Sequence, residues 1–341
     1  MKVLFSGYRN PHFLTITEYA ERAFETAGAG VEFFNDRRYL IPGLLRRGIP
    51  PLERLDLLRL NLGLLRKAAV YRPDIFFACG GVRVAPYTPA ELRRKGVKTV
   101  LWITDPPRED SGSISAAAPF YDRVFCSGTE AVELLEKAGL SGAKLLPYAC
   151  DPELHQKQLL TGEEKNKFSC DVCFAGTVLP GLYPKRVELL ESISDLDLKV
   201  WGPGTGALPP GSPLKSRTAG GNTPPAVWLK AYSAAKIVLC MHFSDPRGKY
   251  PCHQASPRVF EAMACGAFLL CDAQKDVASL FEDGRHLVIF KDARELRQKI
   301  AYYLAYPEKR EAIARAGRDE VLKKHTYADR IKTVLESAGA G

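Results

Sequence analysis

Ser256-Pro-Arg-Val-Phe-Glu-Ala-Met-Ala-Cys-Gly-Ala-Phe-Leu-Leu-Cys-Asp272 carries two patterns in succession. The first half has helical spacing, with Phe260 and Met263 facing one way and Arg258 and Glu261 another. From Gly266 the run turns apolar and reads as a buried strand. Near a helix start, unpaired backbone N–H groups and the macrodipole favour an anion. A guanidinium and a carboxylate three residues apart share that face. Arg258 is suited to grip phosphate and Glu261 to accept hydrogen bonds from two ribose hydroxyls, which is what a nucleoside diphosphate requires. An amphipathic helix with a surface ion pair and Gly266 as its C-cap explains the same letters taken alone. The flanking segments decide between the two.

Working outward, the chain alternates short apolar runs with helical periods. Strands are predicted at 2–6, 31–34, 74–78, 99–103, 123–126 and 144–147, with helices at 14–27, 52–71, 89–95 and 129–138 between them. Composition shifts at Asp151, and residues 155–169 are mostly polar and charged. The alternation restarts with strands at 171–176, 198–201, 237–242, 267–271 and 287–290 and helices at 185–193, 227–234 and 293–304. Residues 202–225 read as a Gly/Pro-rich loop. Fully apolar strands separated by helices imply a parallel sheet covered on both faces. The predicted architecture is two doubly wound α/β domains facing a cleft, with residues 1–152, a linker 153–170, and residues 171–320. Residues 321–341 form a helical tail read as crossing back to the first domain.

At 341 residues, with 46% hydrophobic and 26% charged residues, the composition is that of a globular protein. No run approaches the length of a membrane span, and the first residues enter a strand without a signal-peptide pattern, so a cytoplasmic protein is expected. The nine cysteines sit mostly in apolar runs such as Ile75-Phe-Phe-Ala-Cys79 and read as small buried hydrophobes. Cys170 and Cys173 form a C-x-x-C without a second pair at zinc spacing. A net charge of +9 lacks the interleaved aromatics of a nucleic-acid platform, so nucleic acid is not expected. An anionic donor and a membrane-associated acceptor fit it better. Residues 52–65 hold eight leucines among Arg54 and Arg59. They read either as a core helix or as one lying on an anionic membrane, and the spread of leucines around it favours the core.

Several further segments then point one way: Asp171-Val-Cys-Phe-Ala-Gly-Thr177, Tyr183-Pro-Lys-Arg186, Leu280-Phe-Glu-Asp-Gly-Arg-His286, Glu295-Leu296 and His325-Thr-Tyr-Ala-Asp-Arg330. With the opening stretch, they resemble the GT-B glycosyltransferases, and within them the CgeB-like spore-maturation branch. In the first half, only the element order and Leu145-Leu-Pro-Tyr-Ala-Cys-Asp-Pro152 carry the resemblance. It implies two Rossmann-like domains and transfer of a sugar, hexosyltransferase-like and of retaining type. It also implies a nucleotide-diphosphate sugar donor and no metal or other cofactor. The acceptor, whether glycan, protein, lipid or small molecule, does not carry over. Retaining relatives have a Glu eight positions before the residue matching Glu261, and here that position is His253. Either another residue takes over the sugar contact, or the donor sugar and the stereochemistry differ. An inactive nucleotide-sugar-binding protein and a nucleotide-sugar epimerase are the alternatives.

Transfer needs a neutralised diphosphate and a deprotonated acceptor. Arg258, Lys185 and Arg186 are the expected phosphate-facing cations, the last two because cations are disfavoured at a helix start without an anion nearby. Gly176 and Gly202, each after a strand, suit close backbone approach or a turn. For the base, Asp105 in Trp102-Ile-Thr-Asp-Pro-Pro107 comes first, followed by His12 and His253. Asp195-Leu-Asp197, a D-x-D, reads as a turn rather than a metal site.

Overall fold

The computed structural model describes residues 1–12, 14–39, 41–105, 116–221 and 224–339, with the backbone alone at 44, 45 and 47. The chain divides into two compact units, residues 1–147 with 327–341, and residues 148–326.

The first unit runs β1 (Lys2–Gly7), α1 (Ile16–Thr26), β2 (Gly30–Asn35), α2 (Gly43–Gly48), α3 (Pro50–Tyr71), β3 (Ile75–Cys79), α4 (Tyr87–Arg94), β4 (Lys98–Ile103), β5 (Arg123–Cys126), α5 (Thr129–Lys137) and β6 (Lys144–Leu145). Among the described residues, these strands form one six-stranded sheet in the order β2-β1-β3-β4-β5-β6, every pair parallel. Parallel pairing follows from the sequence: Leu4, Phe5, Phe76, Phe77, Leu101 and Trp102 are buried and alternate between the two faces, so both faces need a helical cover. The N-terminus of α1 is fixed by a capping box, in which the Thr15 backbone N–H donates to Glu18 Oε2 at 2.8 Å.

The second unit runs α6 (Gly162–Phe168), β7 (Val172–Ala175), α7 (Pro184–Glu191), β8 (Leu198–Trp201), β9 (Thr218–Gly220), α8 (Pro225–Ala234), β10 (Ile237–Cys240), α9 (Pro257–Ala264), β11 (Leu269–Asp272), α10 (Lys275–Leu280), β12 (Val288–Phe290), α11 (Ala293–Ala305) and α12 (Pro307–Lys324). Its described strands form a second parallel six-stranded sheet, ordered β12-β11-β10-β7-β8-β9. Val172, Phe174, Val200, Leu239, Leu270 and Phe290 build the core, and burial of each such side chain is worth about 1.5–3 kcal/mol.

The last helix, α13 (Tyr327–Ser337), belongs to the first unit. Tyr327 packs its ring 5.5 Å from that of Tyr19 on α1 and 6.5 Å from that of Trp102 on β4. Arg330 Nε donates to the Pro147 carbonyl at 2.9 Å, and Arg123 Nε donates to the Ser337 carbonyl at 2.8 Å. The chain passes from one unit to the other between Thr326 and Tyr327, where α12 has ended and α13 begins.

Four elements escaped the sequence pattern, one of them α6, which lies inside the expected linker. β9 lies inside the expected Gly/Pro-rich loop, too short to show a period, and α2 and α10 are six residues each. α3 meets the expectation of a core helix on one side only. Its core-facing side is Asp56, Leu60, Asn61, Leu64 and Ala68, while Leu55, Leu58 and Leu62 face outward, 39%, 46% and 40% exposed. The leucines are spread round the helix because it is apolar on two sides, and the core takes only one.

Candidate functional site

In a parallel sheet each helix returns the chain to the start of the next strand, so its N-terminus sits at the carboxyl edge of the sheet. In the second unit this places the starts of α7 and α9 beside the ends of β7, β8, β10 and β11. Most of the residues singled out from the sequence gather along this edge.

α9 begins at an N-cap, Ser256 Oγ accepting from the Arg258 N–H at 3.4 Å, with Pro257 in the first turn. Val259, Phe260, Ala262 and Met263 are buried against the sheet and α12. This rotation brings Arg258 to a half-buried position and Glu261 to a buried one, 8% exposed. Among the described residues, neither side chain makes a hydrogen bond or an ion pair, even with the other. They interact only through space, together with Cys240 at the end of β10 and, for Arg258, Tyr232 and Tyr183. Burial pushes the Glu261 carboxyl up to about 7, against the pull of Arg258. A buried carboxylate beside a cation with nothing bonded to either is expensive unless a ligand completes it.

Lys185, in the first turn of α7, is exposed, and among the described residues it has no partner for its ammonium. Arg186 behaves otherwise, and here the phosphate-gripping expectation is corrected. Its side chain is buried, with Nη1 donating to the Thr177 carbonyl at 2.7 Å and Nη2 to the Met241 carbonyl at 2.6 Å. The guanidinium also lies 3.8 Å from the Tyr183 ring, and burial brings its pKa down to about 10. Arg186 therefore ties the loop after β7 to the loop after β10 through both terminal nitrogens.

Gly176 and Gly202 hold the loops after β7 and β8 at close range. Gly176 N–H donates to the Trp201 carbonyl at 2.8 Å, and Gly202 N–H to the Gly220 carbonyl at 2.8 Å. Gly202 has φ of 142°, and a Cβ there would run into the Gly176 carbonyl. The backbone contact between the loops is reason enough for this glycine.

The same edge holds a pair that the sequence pattern did not flag. His242, two residues past β10, is buried, and its Nδ1 lies 2.5 Å from Asp272 Oδ1 at the end of β11. Asp272 also accepts from the His242 backbone N–H at 3.0 Å. Burial opposes both charges, yet each outweighs it for the other: the His242 pKa is raised and that of Asp272 is lowered. The ring is thereby favoured in its protonated form, in which Nδ1–H would donate to Asp272. Its Nε2 is buried without a partner. The signals lay in Cys-Met-His242 and in the aspartate closing the opening stretch, each at or just past the end of an apolar strand.

A family profile described as glycosyl transferase-like matches residues 185–336, the span that contains these groups. Spore protein CgeB of Bacillus subtilis (strain 168) is 23% identical over 274 residues, covering 77% of this chain and 82% of that protein. In fold, the chain is similar to the sucrose-phosphate synthase of Thermosynechococcus elongatus, with a TM-score of 0.74, 13% identity and 99% of both chains covered. It is also similar to the Anabaena protein HepE in complex with UDP and glucose, with a TM-score of 0.67, 13% identity and all of both chains covered. The chain has the GT-B fold, and its residues 185–336 match a glycosyl transferase-like family.

The remaining expected residues of this GT-B chain are spread over both units. Asp105 is exposed just beyond β4, close enough to act on the Cys79 thiol at the end of β3; residues 106–115, which follow, lie outside the described residues. His12 is exposed in the loop after β1, its backbone N–H donating to Asn10 Oδ1 at 2.9 Å. His253 belongs to the second unit, half-buried, its carbonyl accepting from the Asp276 N–H at 3.1 Å. A further carboxylate was missed. Asp36, directly after β2, is buried and pushed up to about 6, with Oδ2 3.5 Å from Ser6 Oγ and Oδ1 without a hydrogen bond.

For a metal, the described residues offer Cys240, His242 and Cys271, whose ligand atoms lie within 4.8 Å of one another in the core. The D-x-D residues are taken up structurally: Asp195 pairs with Arg297 at 2.7 Å, and Asp197 Oδ2 accepts from the Asp171 N–H at 3.1 Å.

Proposed function

We propose that this protein transfers a sugar from a nucleoside-diphosphate sugar to a hydroxyl acceptor, with the donor held by the second unit. The observation that carries the reading is the unbonded pair Arg258 and Glu261 at the carboxyl edge of the second sheet. The complex of the HepE neighbour with UDP and glucose supports a donor of this class.

Arg258 and Lys185, with the N-termini of α9 and α7, would neutralise the departing diphosphate. Glu261, ionised, would accept from the two ribose hydroxyls. His242, when protonated beside Asp272, would offer Nε2–H to a donor oxygen. The candidates for taking the acceptor proton are Asp105, His12, His253 and the buried Asp36. Cations and helix termini facing the diphosphate do the work a metal does elsewhere, so we propose metal-independent transfer. The nine free thiols, eight of them buried, suit a reducing cytoplasm.

The test is a two-part measurement on the purified chain. Calorimetry with UDP, GDP and dTDP is expected to show tight binding of one of them, and that nucleotide's sugars to be hydrolysed slowly without an acceptor. Binding without turnover under any condition would favour a non-catalytic binder, and epimerised sugar an epimerase. Activity lost to EDTA and restored by manganese would overturn the metal-independent mechanism.

A further inference from the structure

We infer that the outer face of α3 is a docking surface for an anionic lipid bilayer. On α3, Leu55, Leu58, Leu62 and Val70 recur at helical spacing on the side opposite the core, Val70 being 86% exposed. At 1.5 Å per residue the stripe runs for about 20 Å. Ile49, just ahead of the helix, extends it, 46% exposed.

The charges on this face are of one sign. Arg54, Arg59 and Arg66 are exposed, and among the described residues none of them has an ion-pair or hydrogen-bond partner. The two acids of the helix are taken elsewhere: Glu53 by Arg46 at 3.0 Å, and Asp56 by the buried Arg83 at 2.5 Å. Leucines that enter the acyl boundary while flanking arginines meet lipid phosphates are the pattern of a helix lying in a bilayer interface. A second copy fits this face less well, because a two-fold contact would bring Arg59 and Arg66 against their own equivalents with no acid between them.

The experiment is co-sedimentation of the full chain with vesicles of phosphatidylcholine alone or mixed with phosphatidylglycerol, at low and high salt. Binding is expected only to the mixed vesicles and to weaken with salt. Replacing Arg54, Arg59 and Arg66 by Gln should cost roughly fivefold in partition for each arginine. The combined Leu55→Ser, Leu58→Ser and Leu62→Ser variant should lose about tenfold or more while melting at the wild-type temperature, since these side chains lie outside the core. Three results overturn the inference: no sedimentation with mixed vesicles, equal sedimentation with neutral ones, or a dimer in sedimentation velocity that the leucine variant abolishes. Because nucleotide binding is read separately, failure here leaves the proposed transferase activity standing.

Discussion

Arg258 and Glu261 stand three residues apart on one helix face and do not pair with one another. On an exposed helix such a pair would close for a few tenths of a kcal/mol. Here Glu261 is buried and Arg258 half-buried, and among the described residues neither is bonded to a partner. Hydrogen bonds to charged groups contribute about 1.5–3 kcal/mol each. Arg258→Ala should therefore weaken UDP, or whichever nucleoside diphosphate binds, by about 10- to 100-fold and leave the nucleoside almost unchanged. Calorimetry with both ligands measures the split, and equal losses would remove Arg258 from the diphosphate.

Glu261 predicts opposite pH trends for stability and binding. Its folded pKa, about 7, lies above its ordinary 4.5, so the fold prefers it protonated. Its stabilising contribution is present below pH 4.5 and is lost as pH rises to about 7. Glu261→Gln, which stays neutral, should be more stable than wild type by roughly 3 kcal/mol at pH 8 and by about 1 at pH 5. Ribose binding needs the ionised form, so wild-type affinity should fall as pH drops below about 7 while that of the variant stays low and flat. Thermal melts and titrations across this range check both halves.

His242 and Asp272 stabilise one another as an ion pair, and each sets one limit of the window. The raised histidine contributes fully below its ordinary 6.5 and loses its contribution as pH rises through its folded pKa. The lowered aspartate contributes above its ordinary 3.8 and loses as pH falls through its folded value. Asp272→Asn leaves a buried imidazole without its anion, a loss of about 3 kcal/mol, or roughly 6–12 °C in melting temperature. The penalty should be greatest in weakly acidic buffer and shrink above neutrality. NMR titration of the imidazole should show the His242 pKa falling in the variant.

The two cations at the start of α7 separate by experiment. Lys185→Ala should leave the melting temperature unchanged and weaken nucleoside diphosphate binding by up to about tenfold, as for one favourable charge at a helix N-terminus. Arg186→Gln should instead lower the melting temperature, because the Thr177 and Met241 carbonyls lose their charged donor.

Both sheets were legible because buried parallel strands are written as short unbroken apolar runs, from Ile75 to Cys79 or from Leu269 to Cys271, and need no tertiary context to stand out. β9 was not, since three residues pairing at a sheet edge leave no period. Arg258 and Glu261 were legible as neighbours on a helix face, but their lack of a bond depends on how α9 rotates against the sheet. Arg186 looked equivalent to Lys185 in sequence. A 100° step round the helix separates them, one in solvent and one locked between two carbonyls 64 residues apart, at 177 and 241. His242 and Asp272 lie 30 residues apart, and only the pairing of β10 with β11 brings them together.

Gly202 shows how tightly the loops at this edge are drawn. Its φ of 142° is strained for any residue with a Cβ, and the added methyl would meet the carbonyl, carbonyl carbon and nitrogen of Gly176, all backbone. Neither side can yield by a rotamer change. A strained backbone of this kind costs about 1–3 kcal/mol, so Gly202→Ala should lower the melting temperature by roughly 2–12 °C. Because relief requires the loops after β7 and β8 to part, the Gly176 to Trp201 hydrogen bond should open, and nucleotide affinity should fall with stability. Gly206→Ala, a few residues on with nothing within 4 Å of its Cβ, is the control that should change neither. A Gly202→Ala protein that melts at the wild-type temperature would show that the loops are not held together at this point.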